Sequence, residues 1–369
     1  LVLNYFGQGA LLLSNAEAAA NPFFLLAPNW AIIPLVVLAT AATTIASQAL
    51  ISGVFSLTKQ AIQLGLCPRL QIVHTSSREI GQIYLPQVNY ALLVGTLYLV
   101  LTFKTSSNLA AAYGISVSAT MVITTILAYL VARKVWKWSL PLAAAIFGFF
   151  FVIDFVFLSA NSMKIAQGGW VPLSIGLGML LLMTTWRQGR KILGLRMRAS
   201  QPPLREYLAQ IDERKVVRVP GVAVFMVGDP ETTPPAMVHN VKHNKVLHER
   251  NILFTIQTLD VPRVPEAERL AIKQLGPRFV RIIGHYGFQE TPRVRHLLGL
   301  ARKQGVELEL METSFFLSRD SLHILPLTRS GYMGRLRSRY FKWLYKNSTP
   351  ATDYYRIPGN RVVEMGTQV

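Results

Sequence analysis

The first half of the chain alternates between long apolar runs and short polar segments. A hydrocarbon core about 30 Å thick requires roughly 20 apolar residues per helix, and five runs meet that requirement. The predicted spans cover about residues 30–57, 86–103, 109–131, 140–160 and 170–186. An earlier apolar run, residues 1–13, would extend only about 20 Å as a helix. We therefore expect residues 1–189 to form a polytopic α-helical membrane region that begins with a partial helix.

After residue 200 the apolar pattern becomes that of short buried strands. Strands are predicted at residues 222–227, 251–259, 279–285, 306–311 and 362–365. Residues 292–303 have helical spacing, with Thr291 as the N-cap and Pro292 as the first helical residue. Strands that alternate with helices predict an α/β domain over residues 190–369, which is long enough to bury its own core.

Charge is divided unevenly between these two regions. Residues 1–189 hold nine Lys/Arg and three Asp/Glu, a net charge of +6, whereas residues 190–369 hold 29 and 16, a net charge of +13. A basic domain attached to membrane helices is explained by the anionic cytoplasmic leaflet of the lipid bilayer. Nucleic acid is not an expected partner, because no recognised RNA- or DNA-binding motif accompanies the charge. The single cysteine, Cys67, excludes an intramolecular disulfide and a multi-cysteine metal site.

Positive charges in the loops predict the orientation of the helices, because Lys and Arg are enriched on the cytoplasmic side. The richer group of loops holds Lys59, Arg69, Arg78, Arg133, Lys134, Lys137, Arg187, Arg190, Lys191, Arg196 and Arg198. The alternate loops hold only Lys104 and Lys164. The first group, and with it the C-terminal domain, is therefore assigned to the cytoplasm.

Small and polar residues inside the predicted helices indicate packing seams or an ion pathway. Residues 4–10 combine amide side chains, a phenol and two glycines, so unwound backbone could replace the water shell of an ion there. The alternative is simple packing through small residues. The span 30–57 carries small and hydroxylated residues around Ser47 and Gln48, which predicts that it is buried inside a helix bundle.

Two further residues stand out in the membrane region. Tyr113 lies between a run of alanines and Gly114, so its hydroxyl either faces a water-filled cavity or belongs to a structural aromatic. Asp154 is the only acid deep inside a predicted span, where a carboxylate costs about 2.5–3.5 kcal/mol. It is therefore either an ion or proton site or a structural hydrogen-bond acceptor.

The C-terminal domain offers weaker candidates. His239 and His243 share a helix face, but neighbouring lysines oppose a bound cation, and we expect no metal beyond a transported ion. Residues 331–346 interleave basic and aromatic side chains, which is typical of a helix on an anionic leaflet or of a solvated face over a core contact. The membrane-surface candidates are Arg335, Arg337, Arg339, Lys342 and Trp343. Neither a Walker A sequence nor a catalytic triad is evident, so we expect no enzyme and no cofactor.

Many of these segments resemble the bacterial Kup branch of the KUP/HAK/KT potassium uptake permeases. The matching motifs in the membrane region are LNYFGQGALLL (3–13), NPFFLLAP (21–28), IASQALISGVFSLTKQA (45–61), SSNLAAAYGISVSATM (106–121), GGWVPLSIG (168–176) and MTTWRQGR (183–190). Those in the C-terminal domain are VHNVKHNKVLHER (238–250), METSFFLS (311–318) and NRVVEMGTQV (360–369). The membrane motifs resemble the seventh, eighth, tenth and twelfth helices of that family.

The resemblance implies low-affinity potassium uptake by potassium:proton symport on a LeuT-like inverted-repeat bundle of the amino acid–polyamine–cation superfamily. It implies a multi-pass protein of the bacterial inner membrane with a cytoplasmic, regulatory C-terminal domain. The implied partners are potassium, a proton and the lipid bilayer; a homodimer and a regulatory nucleotide at the C-terminal domain are further expectations. The implied ion-pathway candidates in this chain are Tyr113, Tyr5, Gln8, Ser47, Gln48 and Asp154.

The resemblance also implies that the chain is a C-terminal portion, which lacks roughly the first six helices and with them most of the ion-binding acids. Tyr113 is the strongest remaining candidate, whereas Asp154 falls in the eleventh helix, outside the expected ten-helix core. Two other functions stay open at this point. One is an amino-acid permease of the same superfamily, and the other is a membrane-anchored regulatory module that binds a nucleotide.

Overall fold

The apolar stretches of the first half form helices in the computed structural model, which describes residues 1–74, 83–213, 216–309, 312–321 and 334–368. These helices are α1 (Val2–Ser14), α2 (Pro22–Leu25), α3 (Ile32–Gln63), α4 (Pro86–Phe103), α5 (Ser106–Lys134), α6 (Leu140–Ser162) and α7 (Trp170–Ser200). Five helical stretches of the described residues are long and apolar enough to cross a membrane. They are Asn29–Gln63, Pro86–Phe103, Leu109–Lys134, Leu140–Ser162 and Ile165–Ser200.

Two of the helices extend well past their predicted ends. Helix α3 continues to Gln63 rather than residue 57, and α7 continues to Ser200 rather than Trp186. The extension of α3 contains Lys, Gln and Ala, and that of α7 contains Arg, Lys, Leu and Met, all of which favour a helix in water as well as in lipid. Hydropathy locates the end of the apolar segment, whereas the helix ends where its backbone hydrogen bonds stop.

The chain divides into two units, residues 1–57 with 73–84 and residues 58–72 with 85–369. The first unit contains α1, α2, most of α3, and the short antiparallel strands β1 (Val73–His74) and β2 (Ile83–Tyr84). Within it, a Cβ at Gly7 would lie 3.2 Å from Leu26 Cδ2, so α1 packs closely on the residue that follows α2.

The expectation that the span 30–57 is buried in a bundle is wrong for this chain, because its most apolar window contains no buried residue. Its hydroxyl groups need no partner helix. Thr40 Oγ1 donates to Val36 O at 2.8 Å, and the hydroxyls of Thr43 and Thr44 both donate to Thr40 O at 2.9 Å. The backbone of the same helix therefore satisfies these groups.

The second unit contains a six-stranded sheet in the order β5-β6-β4-β3-β7-β8. The strands are β3 (Val217–Met226), β4 (Val246–Leu259), β5 (Leu270–Gly276), β6 (Phe279–Gly287), β7 (Thr313–Ser321) and β8 (Val362–Gln368). Neighbouring strands are parallel except for β5, which pairs antiparallel with β6 at one edge. The accompanying helices are α8 (Leu204–Glu213), α9 (Pro235–His239), α10 (Val294–Lys303), α11 (Arg335–Lys346) and α12 (Ala351–Tyr354).

Both faces of the sheet carry a core, so the domain has the α/β architecture that the alternating pattern predicts. On one face, Phe254, Ile282 and Phe315 pack with Leu297 and Leu298 of α10. The core of the other face is formed by Tyr207, Ile211, Ala223, Phe225, Met237, Leu253, Phe279 and Phe316.

Some local predictions are wrong. Residues 306–309 form no strand; the strand in this region is β7, which begins at Thr313, and residues 310–311 lie outside the described residues.

Helix α10 begins at Val294 with Arg293 as its N-cap, not at Pro292. The Tyr286 hydroxyl accepts from Arg293 N at 3.2 Å, which gives a partner to a backbone donor that has no acceptor within the helix. Arg78 and residues 331–333 also lie outside the described residues.

An ion pair fixes the turn that follows β6. Arg269 Nη2 donates to Glu290 Oε1 at 2.6 Å, and the backbone N–H groups of Gly287 and Val264 donate to Glu290 Oε2 at 2.7 and 3.1 Å. Burial alone would raise the pKa of Glu290, but these hydrogen bonds and the charge of Arg269 outweigh it and hold the pKa below its ordinary value. The carboxylate therefore stabilises the fold only while it is ionised.

We expect Glu290→Gln to lower the hydrogen-exchange protection of the Gly287 amide about tenfold at pH 7, because a charge-assisted bond is lost. Since the folded pKa is the lower one, the stabilisation is complete above the unfolded value of about 4.3 and disappears as pH falls through the folded value. The difference from wild type should thus shrink in acid. Glu307→Gln, which removes an exposed ion pair with Arg250, is the control and should change protection little. A difference that persists unchanged in acid would contradict this interpretation.

Candidate functional site

Helices α5 and α6 approach closely because one of the facing residues is glycine. A Cβ at Gly114 would lie 2.6 Å from Asn161 Oδ1, which is too short for any real contact. The Ser118 hydroxyl donates to Gly114 O at 2.7 Å and so adds no polar group that needs a partner across the interface. The small-residue motif around Gly114 therefore sets the distance between the two helices.

Asp154 lies within this helix pair. Its side chain is buried, and its Oδ2 accepts a hydrogen bond from Thr125 Oγ1 of α5 at 2.6 Å. A carboxylate among apolar side chains requires such a donor. The sequence pointed to Asp154 but not to Thr125, although the hydroxyls at positions 120, 124 and 125 could have indicated a polar helix face.

A cavity of about 540 Å³ opens between the two helices. Its lining consists of Tyr113, Ser116, Val117, Thr120, Met121, Thr124, Thr125, Phe150 and Asp154. Two predicted pathway residues, Tyr113 and Asp154, are thus brought to the same cavity. The Tyr113 side chain is 71% exposed, whereas Asp154 is 5% exposed. Hydroxyl and phenol oxygens and the Asp154 carboxylate lie among the apolar side chains that line this cavity, and oxygen atoms of these kinds can coordinate a dehydrated hard cation.

The other predicted pathway residues belong to the first unit. Tyr5 is exposed on α1, and Gln8 donates through Nε2 to Asn4 Oδ1 one helical turn earlier. Helix α1 is continuous from Val2 to Ser14, so the unwinding considered for residues 4–10 is not present. Ser47 and Gln48 lie on exposed positions of α3.

A second feature joins α11 to the end of the last membrane helix. The ring of Phe341 packs against Gly189 of α7 so closely that a Cβ there would overlap it, and its centroid lies 5.6 Å from that of Trp186. Arg337 Nε donates to Thr185 Oγ1 at 3.1 Å. Helix α11 is therefore fixed where α7 changes from apolar to basic sequence.

The predicted membrane-surface residues divide between two faces of α11. Arg337 is turned towards α7 by its bond to Thr185 and is not available to a leaflet. Leu336 and Trp343 are 80% and 59% exposed, and the exposed cations Arg335, Arg339 and Lys342 flank them. Sequence spacing did not reveal the contact with Gly189, because a single glycine between Gln188 and Arg190 carries no periodic signal.

The histidine pair lies in α9 and the helical turn after it. The rings of His239 and His243 stack with centroids 5.8 Å apart, beside Lys242. Across the part of the chain that the structure describes, no group of three His, Cys, Asp or Glu side chains could hold a metal ion.

Comparison with known proteins gives two family matches and many relatives. Residues 1–191 match the family described as the K+ potassium transporter integral membrane domain, and residues 220–369 match the K+ potassium transporter C-terminal domain. The chain is 54% identical over 369 residues to a protein of Chromobacterium violaceum named probable potassium transport system protein Kup 2. It is 53% and 52% identical to proteins of Myxococcus xanthus and Bdellovibrio bacteriovorus named probable potassium transport system protein Kup.

These alignments cover 100% of this chain but only 59%, 56% and 56% of the three relatives. The chain therefore spans somewhat more than half the length of the curated relatives that it matches. The names of these relatives describe transport proteins rather than enzymes.

The contact between Gly189 and Phe341 can be tested by adding a side chain at position 189. Gly189→Val should push the Phe341 ring away, since overpacking costs about 1–3 kcal/mol, and should speed tryptic cleavage within α11 about tenfold in the full chain. Gly194→Val on the same helix is the control, because nothing lies within 4 Å of a Cβ at Gly194. Equal cleavage rates in the two variants, mapped by mass spectrometry, would show that Phe341 does not anchor α11.

Proposed function

Because the chain belongs to the K+ potassium transporter family, we propose that it supplies part of a potassium pathway through a membrane. The observation that carries the proposal is the cavity between α5 and α6, where Tyr113, three threonines and Asp154 present oxygen atoms. Since the chain spans somewhat more than half of its relatives' length, the transport activity is proposed for a protein of their length.

In this proposal, potassium loses water as hydroxyl and carbonyl oxygens replace its hydration shell. Tyr113 contacts the ion, because its phenol is exposed on the cavity wall. Asp154 has a positioning role instead, because its carboxylate already accepts the Thr125 hydroxyl and joins α6 to α5. Uptake is proposed to be low-affinity symport, in which a proton enters with potassium and neutralises a carboxyl group in the part of the longer protein that this chain does not cover.

The membrane arrangement is proposed on the same basis. The helices form part of a LeuT-like core in a bacterial inner membrane, and the α/β domain lies in the cytoplasm. Support comes from the cations, which are concentrated in the loops after α3 and α5 and in the extension of α7. Trp170 and Trp186 mark the ends of the last apolar segment, where aromatic residues are favoured.

The exposed face of α11 is proposed to lie on the anionic cytoplasmic leaflet. Leu336 and Trp343 are seven residues apart on one side of the helix, and Arg335, Arg339 and Lys342 surround them. Apolar side chains would enter the headgroup region while the cations pair with lipid phosphates. The docking of α11 on Trp186 supports this placement, because it holds the helix at the height of the membrane boundary.

The pathway proposal is tested by rubidium uptake into potassium-starved cells that carry a chimera. In the chimera, residues 1–369 replace the matching part of the Chromobacterium violaceum relative. Tyr113→Ala should reduce uptake about tenfold, because one cation ligand is lost, and Asp154→Asn should reduce it less. Tyr98→Ala, an exposed tyrosine on α4 outside the cavity lining, is the control.

Two results would count against the pathway proposal. Uptake that is blocked by an amino acid but not by potassium would favour an amino-acid permease. A larger loss from Asp154→Asn than from Tyr113→Ala, at equal protein levels in the membrane, would show that the roles of the two residues are reversed.

The leaflet proposal is tested with an environment-sensitive fluorophore at Leu336→Cys in nanodiscs. The emission should shift to the blue when phosphatidylglycerol replaces phosphatidylcholine, and salt should weaken the shift by screening. A label at Val217→Cys on β3 is the control. Burial raises the pKa of the Cys67 thiol, so this native cysteine should react slowly with the thiol-reactive fluorophore and contribute little to the emission. The same shift at both positions would contradict a specific role for α11.

A further inference from the structure

A second cavity of about 540 Å³ lies beside β8, the strand at one edge of the sheet, and its neighbour β7. Its charged lining comes from three parts of the second unit. Arg69 belongs to the loop after α3, Arg319 and Glu364 belong to the two strands, and Lys342 and Lys346 belong to α11. Four cations and one carboxylate therefore surround one space of the size that usually holds a small ligand.

The single carboxylate compensates little of this charge. Glu364 lies 3.7 Å from Arg319, a loose and largely exposed pair. Among the described residues, no acidic side chain forms an ion pair with Arg69, Lys342 or Lys346. Like charges that face one cavity repel each other, and a bound anion would relieve that repulsion.

Hydrogen bonds hold the walls of the cavity together. The backbone N–H of Thr349 donates to Arg69 O at 2.7 Å, which ties the loop between α3 and α4 to the segment after α11. Nearby, Gln63 Nε2 donates to the Tyr354 hydroxyl at 2.9 Å. The cations are thus brought together by the fold, and Ser348, Thr349 and Thr352 add hydroxyl groups to the same lining.

We propose that this cavity binds a phosphate group. Two guanidinium groups, two ammonium groups and hydroxyl donors suit the several acceptor oxygens of a phosphate. The phosphate can belong to the headgroup of an anionic phospholipid or to inorganic phosphate in solution. The surroundings favour the lipid, because Arg69 lies between two candidate membrane spans and α11 packs at the end of a third. This proposal does not depend on the potassium pathway.

The test uses the full chain in phosphatidylcholine nanodiscs, titrated calorimetrically with inorganic phosphate. Arg69→Gln with Lys346→Gln should weaken binding at least tenfold, because two charge-assisted contacts are lost. Lys273→Gln with Arg278→Gln removes the same charge from exposed positions at the opposite edge of the sheet and should have little effect. Glu364→Gln should strengthen binding about two- to fivefold, a direction that a merely unfolded variant would not show.

Discs that contain phosphatidylglycerol identify the source of the phosphate. If the lipid supplies it, native mass spectrometry should find retained phosphatidylglycerol that the Arg69/Lys346 variant loses, and inorganic phosphate should bind more weakly in these discs. Unchanged phosphate binding in these discs would assign the site to free phosphate. The proposal is overturned if neither phosphate nor phosphatidylglycerol binds, or if both charge-removal pairs weaken binding equally.

Discussion

The contact between Phe341 and Gly189 determines where the α/β domain meets the last membrane helix. Any side chain at position 189 would occupy the space of the ring, and without this contact α11 would lose its packing against Trp186. The exposed face of α11 and the basic cavity both depend on it, because Trp343, Lys342 and Lys346 are carried by the same helix. The absence of a Cβ atom at position 189 thus helps to position both the exposed face of α11 and the basic cavity.

Most side-chain hydroxyl groups described for the membrane helices donate hydrogen bonds within their own helix. Hydroxyls of α3 and α5 donate to carbonyls one turn earlier, as Thr40 and Ser116 do, so they can line a helix face at little cost. Asp154 is different, because a carboxylate cannot donate to the carbonyl oxygens of its own helix. It accepts a hydrogen bond from the Thr125 hydroxyl of the neighbouring helix instead. The cavity beside Tyr113 therefore combines locally satisfied oxygens with one bond that holds two helices together.

Sequence periodicity predicted most of the architecture, because apolar run length and strand alternation depend on local chemistry. The start of α6 at Leu140 and the strand at Phe279 fall at the predicted positions. Strand β5 was not predicted, since its residues alternate weakly and it forms by pairing with β6. The neighbouring residue types singled out Tyr113 and Asp154 as candidates, and both line one cavity, but they gave no sign of Thr125, Gly189 or the cavity at Arg69. Those features arise from contacts between distant segments, which no single stretch of sequence encodes.

The unbroken course of α7 has a mechanical consequence. Its 31 residues extend about 46 Å from Trp170 to Ser200, across the apolar segment and into the basic extension. A helix without a proline kink in its interior behaves as a stiff rod, so tilting at one end displaces the other. Events at α11 would therefore reach the Trp170 end of α7 as rigid-body movement, without any intermediate loop to absorb them.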